Sequence, residues 1–428
     1  MSGLALTHAP PSARPLRFLL TAPLWGVVAG VLLVFDGDAL ALGRWAPPAV
    51  VLVHLFTLGV LGNAMLGSLL QFLPVAAATP LPGARVLAPL AHAALNLGLL
   101  LFAVGLYRSH ALLAPASLLL AGALLAVVLP PLPALLRRGA GRLLRAGIGV
   151  ALLALLATVA LGVLAAAVLG GRIALPLDRV VDAHAMLGAG GWMLCLLGAV
   201  ASTTLPMFQG TVAVPPRVLR AWLAATAVLL VAGVTARLAG AAPLWPALAL
   251  ALPAATFALA VLWLQWRAPH RRNPALLRFW RAGSIALLLA GLALCTAAAG
   301  GGTGTGPRAG MFAGLFALGI GVPLLVNGML LEITSFITWV ALRGRCPRGV
   351  RILAVGRLLP DEDKHLALCA HLAAAVLLVL AVAWPPLAML AGILLAVASA
   401  TSIGCMLRCL HRARAFALEH GAPRIATA

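Results

Sequence analysis

Residues 146–169 read AGIGVALLALLATVALGVLAAAVL, an uncharged run of 24 residues in which Thr158 is the only polar side chain. A helix needs about 20 consecutive apolar residues to cross the hydrocarbon core of a bilayer. Arg145 precedes the run, and Arg172 follows it closely. The stretch is therefore predicted to be a membrane-spanning helix.

The composition extends this prediction to all 428 residues. Hydrophobic residues make up 63% of the chain and charged residues 9%, which excludes the surface of an ordinary soluble protein. We expect an all-α polytopic membrane helix bundle that forms a single integral domain over residues 1–428. Twelve apolar runs separated by Arg, Pro or Gly are predicted as spans, near residues 16–36, 48–77, 86–107, 110–136, 146–169, 180–208, 218–238, 243–266, 277–300, 309–341, 366–384 and 386–407.

The net charge of +21, from 30 Lys and Arg against 9 Asp and Glu, predicts an orientation in the membrane. The basic residues lie in short loops and accompany no nucleic-acid-binding motif, so the expected partner is the lipid bilayer and not a nucleic acid. Cytoplasmic loops of membrane proteins carry the excess of Lys and Arg. With the N-terminus inside, 24 of the 30 basic residues fall on the cytoplasmic side. Both termini are therefore expected in the cytoplasm.

A repeat with a period near 130 residues connects the second, sixth and tenth predicted helices. His54 opens the segment HLFTLG, His184 opens HAMLG, and Gly314 opens GLFALG. Such a period indicates copies of one supersecondary unit. The chain is predicted to contain three blocks of four helices, over residues 1–140, 141–272 and 273–428. The alternative left open is that apolar, Gly-rich helices resemble one another without a repeat.

Ionisable side chains inside a membrane are costly and usually face a cavity, a cofactor or one another, so they are the first candidates for a functional site. The clearest candidates within the predicted spans are His54, His92, His184, Glu332 and His371. The helix directions place the first and third of them near the outer face. The other three are expected nearer the cytoplasm.

The outer pair is the strongest candidate for binding a cofactor. His54 lies about six residues into the second helix and His184 about four into the sixth, so both have a similar depth. Two neutral imidazoles at one depth can bind a haem iron from both axial sides, or share a copper or zinc ion. Glycines follow both histidines and leave room for a flat macrocycle. The alternative is that the histidines pack through hydrogen bonds and the glycines serve helix packing.

Glu332 is the only acid deep in a predicted span. It can belong to a proton path or to a structural pair, because a carboxyl group in lipid resists ionisation unless it meets a partner or water. His371 is the expected partner, since it enters the next helix from the same side. His92 is a further candidate for the proton path.

Twelve spans with both ends inside, three four-helix blocks, and histidines on the second and sixth helices resemble the subunit I superfamily of haem-copper oxidases. In that fold the second helix carries a haem-ligating histidine near the outer face, and the sixth carries a copper ligand. His54 matches the first position, and His184 lies on the helix of the second. The resemblance implies a bound haem b or copper, a place in the bacterial inner membrane, and a redox partner or respiratory complex.

The chain departs from true oxidases at two helices. The tenth helix, which would carry histidines for two haems, has none, and the seventh, residues 218–238, lacks the expected histidine pair. A complete oxygen-reducing centre is therefore not expected. The chain is more similar to divergent bacterial relatives of subunit I, with the size and topology of the NnrS-type haem and copper proteins linked to nitric oxide stress. The Trp- and His-rich signature of that type is absent.

Two functions from other classes stay open. A proton-coupled transporter for a small solute or metal ion would use the histidines and Glu332 to line a polar path. Internal repeats and helices broken by Gly or Pro are typical of transporters, but most transporter repeats come in two halves. A structural or assembly partner of a respiratory complex would need neither a cofactor nor a flux.

Overall fold

The computed structural model describes residues 5–37, 43–135, 137, 141–270, 272–300, 306–347 and 349–420. Every regular element over these residues is helical, and none of them forms a strand. Twelve helices in this part of the chain are long and apolar enough to cross a membrane. The protein is an all-α, polytopic membrane helix bundle, as the sequence predicts.

The twelve long helices follow one another through short connections. They are α1 (Ala13–Asp36), α2 (Pro47–Ala76), α3 (Ala84–Tyr107), α4 (His110–Val128), α5 (Arg142–Leu169), α6 (Leu177–Gln209), α7 (Pro216–Leu238), α8 (Leu244–Trp266), α9 (Pro274–Ala299), α10 (Gly306–Arg345), α11 (Asp361–Ala383) and α12 (Pro385–His420). Because the number of crossings is even, α1 begins and α12 ends on the same side of the bundle. We call it the terminal side, and the other the far side.

Local chemistry sets where several of these helices begin and end. Pro47 and Pro216 stand in the first turns of α2 and α7, where the missing backbone N–H costs nothing. The Asn273 side chain accepts a hydrogen bond from the backbone N–H of Leu276 at the start of α9. Gly210 follows α6 with φ of 71°, a left-handed conformation that favours glycine and stops the helix.

Two predicted boundaries differ most from the structure. The fourth span ends at Val128 and not near 136, and a separate short helix, Leu132–Leu135, follows it. The last helix continues to His420, well beyond the predicted end near 407. Its extra turns are helical because Arg408 and Arg412 pair with Asp363 at the start of α11, so charged residues that suggest a loop instead extend the helix.

The first and last helices close the bundle. Helix α1 packs against both α2 and α12, and most other helices pack against their neighbours in the chain. At the crossing of α1 and α12, Gly30 faces Gly392 so closely that a Cβ on either would lie 2.5 Å from the carbonyl oxygen of the other. Small residues permit such close approach of helices in membranes.

Each of α2, α6 and α10 contains a π-helical segment. These segments are Leu55–Gly62, Leu187–Leu194 and Leu315–Gly321. A π-helix is wider than an α-helix because its hydrogen bonds join residues five apart, and such segments occur frequently at functional sites. They interrupt the three helices that the sequence repeat relates, and the first two follow His54 and His184 closely.

Candidate functional site

His54 and His184 lie side by side in the far-side half of the bundle. Their ring centroids are 6.3 Å apart, and their ring planes differ by 21°. Helix α2 supplies one ring and helix α6 the other, from residues 130 positions apart in the chain. The structure therefore brings together the two histidines that the sequence selects by their matching depth.

The Nδ1 atom of each ring is held by a backbone carbonyl. His54 donates from Nδ1 to the oxygen of Val50, one turn earlier on α2, at 2.8 Å. His184 donates from Nδ1 to the oxygen of Thr158 on α5, at 2.9 Å. A carbonyl oxygen only accepts, so the proton resides on Nδ1 in both neutral rings. This leaves the lone pair of each Nε2 for another partner, and no hydrogen bond joins either Nε2 to a described residue.

Apolar and small groups surround the two imidazoles. The ring of Phe102 lies 4.4 Å from that of His54, centroid to centroid. Gly162 of α5 faces His184 so closely that a Cβ there would lie 3.0 Å from Cε1. Both histidines are half-buried. The packing therefore limits the rotation of the rings and separates them from most of the solvent.

A cluster of ion pairs covers the far-side ends of α6 and α7, two residues from His184. Arg237 donates to Asp182 at 2.7 Å and to Asp178 at 2.7 Å. Arg44, which precedes α2, donates to Asp182 at 2.9 Å. The cluster joins the chain before α2 to α6 and α7, so it holds the two helices that carry the histidines at one level. This cluster was not predicted from the sequence.

His92 has a different set of neighbours, in a polar group between α1, α2 and α3. Its Nε2 lies 2.9 Å from the hydroxyl of Thr21. One turn further along α3, Asn96 accepts hydrogen bonds from Trp25 at 2.5 Å and from Asn63 at 3.2 Å. Asn63 also donates to the oxygen of Gly59 in the π-helical segment of α2, at 2.9 Å. This network was missed because single Asn residues in apolar runs carry no spacing signal.

Glu332 does not pair with His371, and that expectation is wrong. Its Oε1 lies 2.7 Å from Nζ of Lys364 at the start of α11, and both side chains are buried. Asp361 approaches the same Nζ at 3.4 Å. The sequence did carry a signal for this pair, because Lys364 is the only lysine in the chain.

His371 instead lies beside Asn327, deeper in the bundle. The amide nitrogen of Asn327 lies 3.3 Å from Nε2 of His371. The same nitrogen donates to the hydroxyl of Ser402 on α12 at 3.2 Å. The Nδ1 atom of His371 lies 2.9 Å from the backbone oxygen of Ala367. These contacts tie α10, α11 and α12 together.

A cavity occupies the terminal-side half of the bundle, between α2, α6 and α10. It contains about 950 Å³ of empty space, including its mouth, and Trp280 of α9 closes part of it. Neither His54 nor His184 lines it. The cavity and the histidine pair are therefore separate features, at different depths of the same three central helices.

Metal-binding side chains are sparse among the described residues. No group of three or more His, Cys, Asp or Glu residues among them could hold a metal ion together. The histidine pair therefore offers two protein ligands at most from these residue types, within the part of the chain that the structure describes.

Comparisons with known proteins assign the chain to no family. No family model matches it, and no curated protein sequence matches it at a significant level. The function is therefore inferred from the geometry of the chain itself.

Proposed function

We propose that this multi-span membrane protein binds a metal centre between His54 and His184. The observation that carries the proposal is the placement of two half-buried imidazoles with centroids 6.3 Å apart and both Nδ1 atoms committed to carbonyl oxygens. Metal-binding histidines almost always donate their second ring N–H to such an acceptor, which fixes the tautomer and the ring. The arrangement is therefore typical of imidazoles prepared for a metal.

The spacing of the rings suits a single metal ion. With metal–nitrogen bonds of about 2.0 Å to both Nε2 atoms, collinear imidazoles would have centroids roughly 6.2 Å apart. The centroids of His54 and His184 are 6.3 Å apart, which is close to this value; because the two rings are stacked, both would turn to bring their Nε2 atoms to one ion. Imidazole binds copper, zinc and iron, and copper forms the tightest complexes of the divalent first-row metals with a given site. Copper is therefore the ion that we favour.

A haem b is the second candidate, and the packing gives it less support. A macrocycle between the rings needs a slot around both Nε2 atoms, whereas Phe102 lies 4.4 Å from one ring and Gly162 borders the other. The cavity between α2, α6 and α10 lies on the terminal side and does not reach the histidines. Copper needs only the interval between the rings.

A bound copper ion would supply one-electron redox chemistry. His54 and His184 would hold the ion, Val50 and Thr158 would orient them through their carbonyls, and Asp182 would keep α2 and α6 in register. We infer a location in the bacterial inner membrane with cytoplasmic termini and the metal site near the outer face, since most basic residues lie on the terminal side. A role beside a redox partner or respiratory complex, in respiration or nitric oxide chemistry, follows from the resemblance to subunit I.

Metal analysis of the purified protein tests the proposal. Protein from cells supplied with copper and haem should contain about one copper ion per chain, and His54→Ala or His184→Ala should each lower the bound metal at least tenfold. His110→Ala is the matched control, because His110 is exposed at the far side and should leave the metal content unchanged. A Soret band lost in both variants would assign haem b instead. Colourless, metal-free protein would contradict the proposal.

The transporter remains the second candidate function, and the buried pair of Glu332 and Lys364 is the observation that favours it. Paired charges within membrane helices occur in the proton relays of transporters. Proteoliposomes containing the protein should then take up or release a solute or metal ion with a proton. Metal-loaded protein without such a flux would favour the metal centre.

A further inference from the structure

The cavity between α2, α6 and α10 has an almost wholly apolar lining. Aromatic and thioether side chains form much of it: Phe72, Phe208, Phe336, Met65, Met207 and Met329. No Asp, Glu, Lys, Arg or His lines it. A molecule that binds there must therefore be largely apolar and carry no net charge, because a buried charge without a partner is unfavourable.

Two buried residues that border this cavity have polar side-chain atoms without a partner. Gln71 is 5% exposed, and neither its amide oxygen nor its amide nitrogen has a hydrogen-bond partner among the described residues. Trp280 is 1% exposed, and its indole Nε1 is equally unpartnered. Both residues line the cavity. Buried polar groups are nearly always hydrogen-bonded, so an unpartnered pair at one cavity indicates a missing partner.

Two hydroxyl groups of the lining are already satisfied. The hydroxyl of Ser68 donates to the oxygen of Ala64 at 2.7 Å, and that of Thr204 to the oxygen of Val200 at 3.2 Å. The polar groups that border the cavity without a partner are therefore two kinds of N–H donor, from Trp280 and Gln71, and one amide acceptor, and the lining also contains the hydroxyl of Thr203. These are the groups that a ligand has to match.

We propose that this cavity binds a neutral, lipid-soluble molecule with a flat ring bearing carbonyl oxygens, the chemistry of a quinone. The indole N–H of Trp280 and the amide N–H of Gln71 would donate to the carbonyl oxygens. If the ring carries hydroxyl groups in its reduced form, the amide oxygen of Gln71 would accept from one of them. Aromatic rings prefer stacked or edge-on contacts with a flat ring, and methionine sulfur adapts to its outline.

Two other apolar occupants fit the lining less well. A phospholipid needs a cationic partner for its phosphate, and none lines the cavity. A plain hydrocarbon would fill the space but leave the polar atoms of Gln71 and Trp280 without partners. A carbonyl-bearing ring satisfies both the apolar walls and the two donors.

Titration of the detergent-solubilised protein with decylubiquinone tests the proposal. Binding should saturate at one molecule per chain, whereas decylbenzene, which has the tail and a ring but no carbonyl, should bind at least tenfold more weakly. Trp280→Phe keeps the ring and removes the N–H, and it should raise the Kd for decylubiquinone about five- to tenfold. Trp222→Phe is the matched control, because the Trp222 N–H already donates to Thr256 outside the cavity.

Gln71→Leu should change two measured quantities, ligand affinity and thermal stability, in opposite directions. It should weaken decylubiquinone binding about tenfold while raising the thermal stability of the ligand-free protein, because it removes buried atoms that lack partners. Unchanged affinity in Trp280→Phe and Gln71→Leu, equal binding of decylbenzene, or no saturable binding would each overturn the proposal. The His54→Ala, His184→Ala double variant should bind decylubiquinone normally, so this test is independent of the metal centre.

Discussion

At the scale of single residues, the partner of Glu332 depends on how two antiparallel helices align. Asn327 meets His371, and Glu332, five residues or about 7.5 Å further along α10, meets Lys364. In antiparallel helices a step forward on one matches a step back on the other. His371 therefore lies too deep to reach Glu332, although both residues were expected on the terminal side.

The buried pair predicts a large effect of removing one charge. Glu332→Gln should lower the free energy of unfolding by about 3 kcal/mol, because the buried Lys364 then keeps only the half-exposed Asp361, at 3.4 Å, as a charged partner. The double variant Glu332→Gln, Lys364→Met should recover most of this loss, since no unpaired charge remains. Thermal unfolding of the purified protein in detergent measures both effects.

The exposed acid beside the pair supplies the control. Asp361 also approaches Lys364, but its side chain is 49% exposed, so Asp361→Asn should change the stability by less than about 1 kcal/mol. A Glu332→Gln protein as stable as the parent would refute the structural role of the pair. A changed pH profile of activity in that variant would instead support the proton path in which Glu332, His371 and His92 are candidates.

At the scale of helices, α2, α6 and α10 each depart from regular α-helical geometry at a π-helical segment. Leu55–Gly62 and Leu187–Leu194 begin one and three residues after the histidines, and Leu315–Gly321 lies in the third related helix. The side chain of Asn63 donates to the Gly59 carbonyl within the first segment. The common placement supports the predicted threefold repeat, which stays a prediction.

The packing of α5 against α6 should control the position of His184. Gly162 leaves little room for a side chain, because a Cβ there would lie 3.0 Å from Cε1 of the imidazole and the ring would have to move. Gly162→Val should displace the ring from the Thr158 carbonyl and lower the copper affinity at least tenfold. Isothermal titration of the metal-free protein with copper measures the change.

A second glycine of the same helix is the matched control. A Cβ at Gly149 would meet nothing within 4 Å, so Gly149→Val should leave the copper affinity unchanged. The prediction fails if Gly162→Val binds copper like the parent, or if both variants lose it equally. In the second case the loss would come from helix α5 as a whole and not from contact with His184.

At the scale of the whole molecule, the sequence assigns 24 of the 30 Lys and Arg residues to segments on the terminal side and 6 to segments on the far side. The terminal side carries the pairs of Asp363 with Arg408 and Arg412, whereas the far side carries the cluster around Asp182. Because Lys and Arg are retained in the cytoplasm during insertion, the terminal side should be cytoplasmic.

Reporter fusions test this orientation. Alkaline phosphatase, which is active only outside the cytoplasm, should be active when fused after Arg108 or Arg172. Green fluorescent protein fused after Ala428 should fluoresce, as it does in the cytoplasm. The opposite pattern would invert the topology and place the histidine pair near the inner face.

Hydropathy alone was enough to predict the helices. In lipid every backbone N–H and C=O must find its partner within the helix, so an apolar run such as residues 146–169 has one available structure. Depth follows from the same count, which is why His54 and His184 could be paired before their contact was known. The ends were less predictable, because α12 extends to His420 through ion pairs that only the folded chain contains.

Lateral contacts were decided by the tertiary structure. Apolar helices present similar surfaces to lipid and to one another, so no hydrophobic pattern specifies which faces meet. The Thr158 carbonyl that holds His184, the Lys364 ammonium that replaces His371 as the partner of Glu332, and the cavity beside Gln71 all arise where faces of different helices meet. The sequence by itself determined the number, order and depth of the helices, whereas their packing determined which polar groups meet, because short-range contacts depend on helix rotation and register that composition does not encode.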